Sequence, residues 1–405
     1  MEAIVRRQHA HPIGRARPGP IRAFPILAGA ALLLVAYGAT RAPSNPSVAV
    51  GAAAAPPASA AISPSDGLGS STSQRPEPSP ASSGDPLSAA PRPSAPPPSA
   101  PPPLSAHPGL FPGGLLIADR GNGRLIVITS SGTILWRFPV RGSLPRGESF
   151  AADDAFISPD GRTIVANDDA HHVVDRIDIA TRRIVWQYGH YNTPSGRAGY
   201  LNGPDDAYPL ANGDVVVADI QNCRILQITP AKSIRRRWGR AGVCVDHAPQ
   251  TYGAPNGDTP LSDGGLLITE IRGSRVVRLS STGAVIFDIH VPTNYPSDAH
   301  LDVNGNVIVA DYSTIGAVVA VTPRGRLLWR YAPASGRGRL DHPSLAVPLA
   351  NGLILINDDF RERVVLLDPV RRRIVWQYGV TDSRGASAGR LHIPDGVDVA
   401  PVGIF

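Results

Sequence analysis

The sequence predicts an all-β fold, a six-bladed β-propeller of four-stranded antiparallel blades in which the C-terminal strand closes the first blade. Three observations carry that expectation. A pattern of 40 to 51 residues recurs from Gly109 onward; the clearest pair is GPDDAYPLANGDVVVAD (203–219) and HPSLAVPLANGLILIND (342–358). Each copy reads as an inner strand, a Gly turn, a second strand ending in an acid or amide, then apolar third and fourth strands. The ends are complementary: the first copy starts at GGLLIAD (113–119) without an inner strand, and LHIPDGVDVAP (391–401) is an inner strand without a second. Pairing those halves closes a ring and removes the free sheet edges.

Ahead of the repeats the chain cannot build a core. Residues 1–22 form a basic head with Arg6, Arg7, Arg15, Arg17 and Arg22, which the positive-inside rule places in the cytoplasm. Residues 23–40, AFPILAGAALLLVAYGAT, are uncharged, and as a helix they would span about 27 Å, enough for a transmembrane signal-anchor. A cleaved secretory signal ending near Ala36, Gly38 and Ala39 is the alternative, and export follows under either reading. Residues 41–108 hold 18 prolines among Ala and Ser, the composition of a disordered linker. The expected location of the propeller, residues 109–405, is therefore extracytoplasmic, with the chain attached to the cell membrane by one pass.

The net charge of +6 does not point to nucleic acid. Eight arginines against four acids lie ahead of Pro108, which leaves only +2 for the folded part. The two cysteines show no CxxC or His-rich spacing, so a zinc site is not expected. In a four-strand meander the second-to-third turn and the exit of strand four share one face. Cys223 and Cys244 occupy those places in one blade, which predicts a disulfide.

Alignment of the copies places one polar oxygen per blade in a first column, Asp153, Asp205, Asn256, Ser297, Ser344 and Asp395. A second column holds Asn167, Asp219, Glu270, Asp311 and Asp358, with Asp119 matching by motif. Such residues at strand ends accept backbone N–H groups in turns, and Arg120, Arg124, Arg224, Arg272, Arg275 and Arg361 are nearby partners. The alternative is a ligand-binding channel lined by Asp154, Asp205, Asp206, Tyr208, Asn256, Asp298 and Asp395. There Asp153, Asp205, Asn256 and Asp395 would be candidate ligands for Ca²⁺. His300, which follows Asp298 as D-A-H, and His342 and His392, which begin inner strands, are candidate acid–base or nucleophilic groups with Asp298. Trp136, Trp186, Trp329 and Trp376 read as packing between blades rather than a ligand cage.

The order seen in GPDDAYPLANGDVVVADIQNCRIL resembles the NHL repeat, and the strand ends carrying the four tryptophans resemble PQQ-type propeller repeats. The resemblance covers about residues 110–405 and implies the fold. It implies little about function, because such propellers host binding modules and several chemistries. The enzymes of this pattern that use PQQ mostly need a larger ring and a vicinal disulfide. The D-A-H element and the six-blade count are loosely similar to exported arylsulfotransferases. Two function classes follow: a tethered binding or scaffold module for a protein, peptide or glycan, or an exported enzyme with a channel site. The enzyme would be a metal-dependent lactonase-like hydrolase or an arylsulfotransferase-like transferase.

Overall fold

Short apolar runs separated by Gly turns set the strand length of every repeat. In the third blade, Pro204–Pro209 turns through Asn212 and Gly213, whose φ of 86° suits glycine, into Val215–Asp219. A 3₁₀ turn, Ile220–Asn222, leads to Arg224–Ile228, and Ile234–Gly239 forms the outer strand. The computed structural model describes residues 110–405, and over them this unit occurs six times, each as a four-stranded antiparallel sheet. Blades 2 to 6 are continuous in sequence, spanning residues 155–189, 204–239, 255–290, 296–331 and 346–378.

Blade 1 joins the two ends of the repeat region. Pro394–Val399 pairs with Leu115–Asp119, with Leu115 opposite Val399 and Ile117 opposite Val397, and Arg124–Ile128 and Ile134–Phe138 complete the sheet. A bulge between Ala118 and Asp119 bends the closing strand at its start. Gly396 is required in that strand: a Cβ there would lie 2.7 Å from Asp154 Cα in blade 2. Leu115, Ile117 and Val397 are buried in the resulting seam, and side chains of this kind stabilise by about 1.5–3 kcal/mol each when fully buried.

Burial grades outward along each blade. The second and third strands, such as Leu115–Asp119 and Arg224–Ile228, are covered at almost every position, because neighbouring blades stack on both faces. In the outer strand Ile234–Gly239 the first four residues are exposed. The tryptophans staple one blade to the next. Trp136 Nε1 donates to Ile179 O at 2.9 Å, Trp186 Nε1 to Pro230 O at 3.0 Å, and Trp376 Nε1 to Ser130 O at 3.1 Å. Trp329 packs against the core shared by blades 5 and 6. Cys223 and Cys244 are disulfide-bonded, with Cα atoms 5.2 Å apart.

The cytoplasmic head (1–22), the transmembrane helix (23–40) and the linker (41–108) lie outside the described residues. No helix among the described residues is long and apolar enough to cross a membrane.

Candidate functional site

The innermost strands of the six blades line the axis of the ring, and their residues fall into levels. Pairing with the second strand aligns Ala155, Ala207, Asp258, Ala299, Ala346 and Val397 at one level. Two residues earlier in each strand is the level of the first column, Asp153, Asp205, Asn256, Ser297, Ser344 and Asp395. Between the two levels lie Asp154, Asp206, Gly257, Asp298, Leu345 and Gly396. One residue beyond the aligned level lie Phe156, Tyr208, Thr259, His300, Val347 and Asp398.

At the first level the charge is organised by one arginine. The Arg120 guanidinium donates to Asp153, to Asp395 at 2.7 Å and to both oxygens of Asp169 at 2.8 Å, which ties blade 1 to blade 2. Burial alone would raise Asp395, yet Arg120 and hydrogen bonds from Asp153 and Asp359 hold its carboxyl below the usual range. Burial and then the neighbouring Asp395 push Asp153 and Asp359 well above it, so these acids keep protons that Asp395 gives up. Asn256 is engaged as well: its amide donates to Ser297 O at 3.0 Å and its oxygen accepts from Tyr295 at 3.1 Å. Ser344 donates to Asp395 O at 2.8 Å.

These contacts bear on the expected Ca²⁺ ligands Asp153, Asp205, Asn256 and Asp395. The cation between Asp153 and Asp395 is the chain's own Arg120, and Asn256 is committed to blade 5. Asp205 shares the field of that cluster: burial, then Asp169 and Asp395, raises its carboxyl well above the usual range. No group of three or more His, Cys, Asp or Glu side chains among the described residues is arranged to hold a metal ion.

The second column fixes loops. Asp119 accepts from His392 N, Asp219 from Asn202 N, Glu270 from Gly253 N, Asp311 from Asn294 N and Asp358 from Asp341 N. Arg124, Arg224 and Arg363 pair with Asp119, Asp219 and Asp358. Two sequence expectations shift here. Arg363 rather than Arg361 carries Asp358, while Arg361 pairs with Asp382 and Arg275 with Asp288. In blade 2 the column residue is Asp168, which accepts from Ala151 N, and Asn167 instead donates to Pro204 O and Asp205 O. The reason is one extra residue in the first turn of blade 2: Ile157 pairs with Ile164, seven positions on, where Pro209 pairs with Val215, six positions on.

The three histidines do not gather at one mouth. His300 follows Ser297 by three residues, roughly 10 Å along an extended strand. Its Nε2 lies 2.8 Å from Asp298 Oδ2, without hydrogen-bond alignment. Tyr208, at the same level, stacks on Phe156 at 3.8 Å and reaches Asp298 Oδ2 at 3.4 Å. His342 stays on the first-column face, where Asp341 holds its Nδ1 at 2.7 Å and its ring packs against Tyr312 and Phe360. His392 packs on Gly121 in the loop that enters blade 1.

The residues following each column-two acid form a further set: Arg120, already named as a partner of the columns, and Asp169, Tyr312 and Asp359, which were not singled out in the sequence, with Ile220 and Ile271 in the remaining blades. Asp359 is fully buried beside Asp395, and burial followed by Asp359 raises Tyr312. The signal was available. At that position four of the six copies carry a polar or aromatic residue where a plain turn needs none. On the same face the second-to-third turns of blades 5 and 6 expose Ile315, 51%, and Phe360, 47%.

The family model described as outer membrane protein assembly factor BamB, of the PQQ-like repeat type, matches residues 78–241. The chain is a six-bladed propeller, part of which matches this PQQ-like repeat model. A solved protein of unknown function from Bacteroides caccae is 17% identical, with a TM-score of 0.51 over 71% of this chain and 98% of its own. BamB from Moraxella catarrhalis is 18% identical over 67% of this chain and 74% of its own, with a TM-score of 0.36. Virginiamycin B lyase from Staphylococcus aureus is 18% identical over 66% of this chain and 84% of its own, with a TM-score of 0.45. None of the curated proteins matches the chain in sequence. At these identities a likeness bears on the PQQ-like propeller fold alone.

Proposed function

We propose that this PQQ-like propeller is a binding module, held outside the cytoplasmic membrane by residues 23–40 and the linker 41–108. Its first-column face would contact a protein, peptide or glycan. The observation that carries this reading is the patch on blades 5 and 6. Ile315 and Phe360 stand half exposed on adjacent turns, backed by Tyr295, Tyr312 and His342, whose rings lie 4.3 to 5.4 Å from one another or from Phe360. Exposed aromatic residues on a rigid frame mark contact surfaces, because little conformational entropy is lost when they dock. The matching family model is named for an assembly factor, which accords with such a role.

The test is retention of cell-envelope components on the immobilised chain. Ile315→Ser together with Phe360→Ser should abolish a specific retention while leaving thermal unfolding within about 0.5 kcal/mol of wild type, as for most surface changes. Retention that survives the double substitution would remove the reading.

The His300–Asp298 pair favours a second reading, an exported hydrolase or transferase using the channel. Ca²⁺ belongs to the hydrolase form of that reading. Turnover of ester, lactone or aryl sulfate substrates that is lost in His300→Gln and Asp298→Asn would establish it. Turnover unchanged in both variants would exclude it.

A further inference from the structure

Below the level held by Arg120, the channel carries acid without a counter-charge. Asp154, Asp206, Asp258 and Asp298 come from four successive blades, and all are at least nine-tenths buried. The donors within reach converge on one of them. Asp298 receives Thr259 Oγ1 at 2.9 Å, Ala299 N at 2.7 Å and Tyr208 at 3.4 Å, with His300 beside it. Asp206 has a single long contact from Asp258 N at 3.3 Å. Both oxygens of Asp258, Oδ1 of Asp206 and Oδ1 of Asp154 have no partner. None of the ion pairs among the described residues includes Asp154, Asp206 or Asp258.

We infer that these acids bind a protonated organic amine, its ammonium group seated between Asp206, Asp258 and their neighbours and its apolar body lying on Phe156 and Tyr208. Three features select that ligand. The acids are spread over four blades and do not converge as metal ligands do, whereas three N–H donors reach separate carboxylates at ordinary hydrogen-bond distance. The same channel already holds one organic cation of this kind, the Arg120 guanidinium on Asp153, Asp169 and Asp395. Arg120 occupies the first-column level, and at the opposite end of these strands the wall is the stacked Phe156–Tyr208 pair beside Val347. An apolar wall next to buried anions fits an amine with a hydrocarbon body rather than a bare ion.

Before an amine arrives the acids keep protons: burial, and then neighbouring carboxylates, raises Asp154, Asp206 and Asp258. An arriving ammonium must displace them, so affinity rises with pH, by up to about tenfold per unit for each proton released. This inference does not rest on the proposed binding face. Substitution of Phe360 should leave it untouched.

The experiment is calorimetric titration of the full chain in detergent, at about pH 6 and pH 8, with 2-phenylethylammonium, hexylammonium, the neutral 2-phenylethanol, and K⁺. Both amines should bind, at least tenfold tighter at the higher pH, and should release protons into the buffer. The alcohol and K⁺ should not bind. Asp258→Asn and Asp206→Asn should each weaken amine binding at least tenfold and reduce proton release, with unfolding temperatures at pH 8 no lower than wild type. Tyr208→Phe keeps the stacked wall and should retain binding. The inference is overturned if neither amine binds at millimolar concentration, if the alcohol or K⁺ binds as well as the amines, or if Asp258→Asn and Asp206→Asn bind like wild type.

Discussion

Two levels of one channel, a few ångströms apart along the same strands, treat buried acid in opposite ways. At the first level Asp153, Asp169 and Asp395 surround Arg120, and Asn256 and Ser344 are hydrogen-bonded across blades. One and two residues further along the strands, Asp154 and Asp206, and then Asp258, have no cation and several unpartnered oxygens. The first arrangement joins blade to blade, and its acids are explained by the fold. The second contributes nothing visible to holding the ring, so its acids need another explanation. Buried carboxylates without partners raise the free energy of the folded state unless they stay protonated or meet a ligand.

The largest expected effect comes from making the first level resemble the second. Arg120→Ala leaves three acids without their cation, and removal of one partner from a buried ion pair costs about 3–5 kcal/mol. Denaturant unfolding at neutral pH should show a loss of that size, and a loss below about 1 kcal/mol would mean that Arg120 is not what fastens blade 1 to blade 2. The disulfide tests the specificity of that result, because it touches neither level. Its two cysteines are 21 residues apart, and Cys244→Ser should cost about 3 kcal/mol by the loop-closure estimate. The pH dependence of unfolding should be the same with and without the bridge.

A smaller effect separates Asp395, the carboxylate that Arg120 holds charged, from the unpartnered acids by sign. Asp154, Asp206 and Asp258 are raised in the folded chain, so the stability they contribute is complete below the unfolded value of 3.8 and is lost as pH rises through their folded values. Burial likewise raises Asp398 to about 6 and Glu270 to about 7, which places an observable fall in unfolding temperature between about pH 4.5 and 7. Asp395 runs the other way, with stability lost as pH falls below 3.8. An unfolding temperature that climbs from about pH 4.5 to 7 would contradict the assignment. The smallest effect is local to the first level: Tyr295→Phe removes the bond to Asn256 and should cost about 1 kcal/mol.

Much of the ring was legible because it is repeated. The half-copies at 113–119 and 391–401, the inner-strand starts and the tryptophans at the outer strands each gave a pattern that a single blade would not. The Cys223–Cys244 pair was legible because both residues fall at ends of strands on one face. Side-chain pairing was less so. Six arginines stood near the columns, but only the structure distinguishes Arg120, which turns inward, from Arg275, which pairs with Asp288 at the outer strand. The one-residue longer turn in blade 2 displaced Asn167 from the column, because a strand's facing alternates with each residue. His300 was grouped with His342 and His392 because alignment by motif ignores the rise along a strand. Asp154, Asp206 and Asp298 were named as channel residues and Asp258 was not, and the lack of partners on oxygens of Asp154, Asp206 and Asp258 is a three-dimensional fact.

The measurement that tests the account most directly is a matched pair of neutralisations, Asp395→Asn and Asp258→Asn, compared by denaturant unfolding at about pH 8. The account predicts opposite signs: Asp395→Asn destabilises by about 1–3 kcal/mol because it takes a charged acceptor from Arg120, and Asp258→Asn leaves stability equal or higher because it removes an unpartnered acid. If both substitutions destabilise to the same extent, the two levels are alike, and the case for an amine site in the channel falls with their difference.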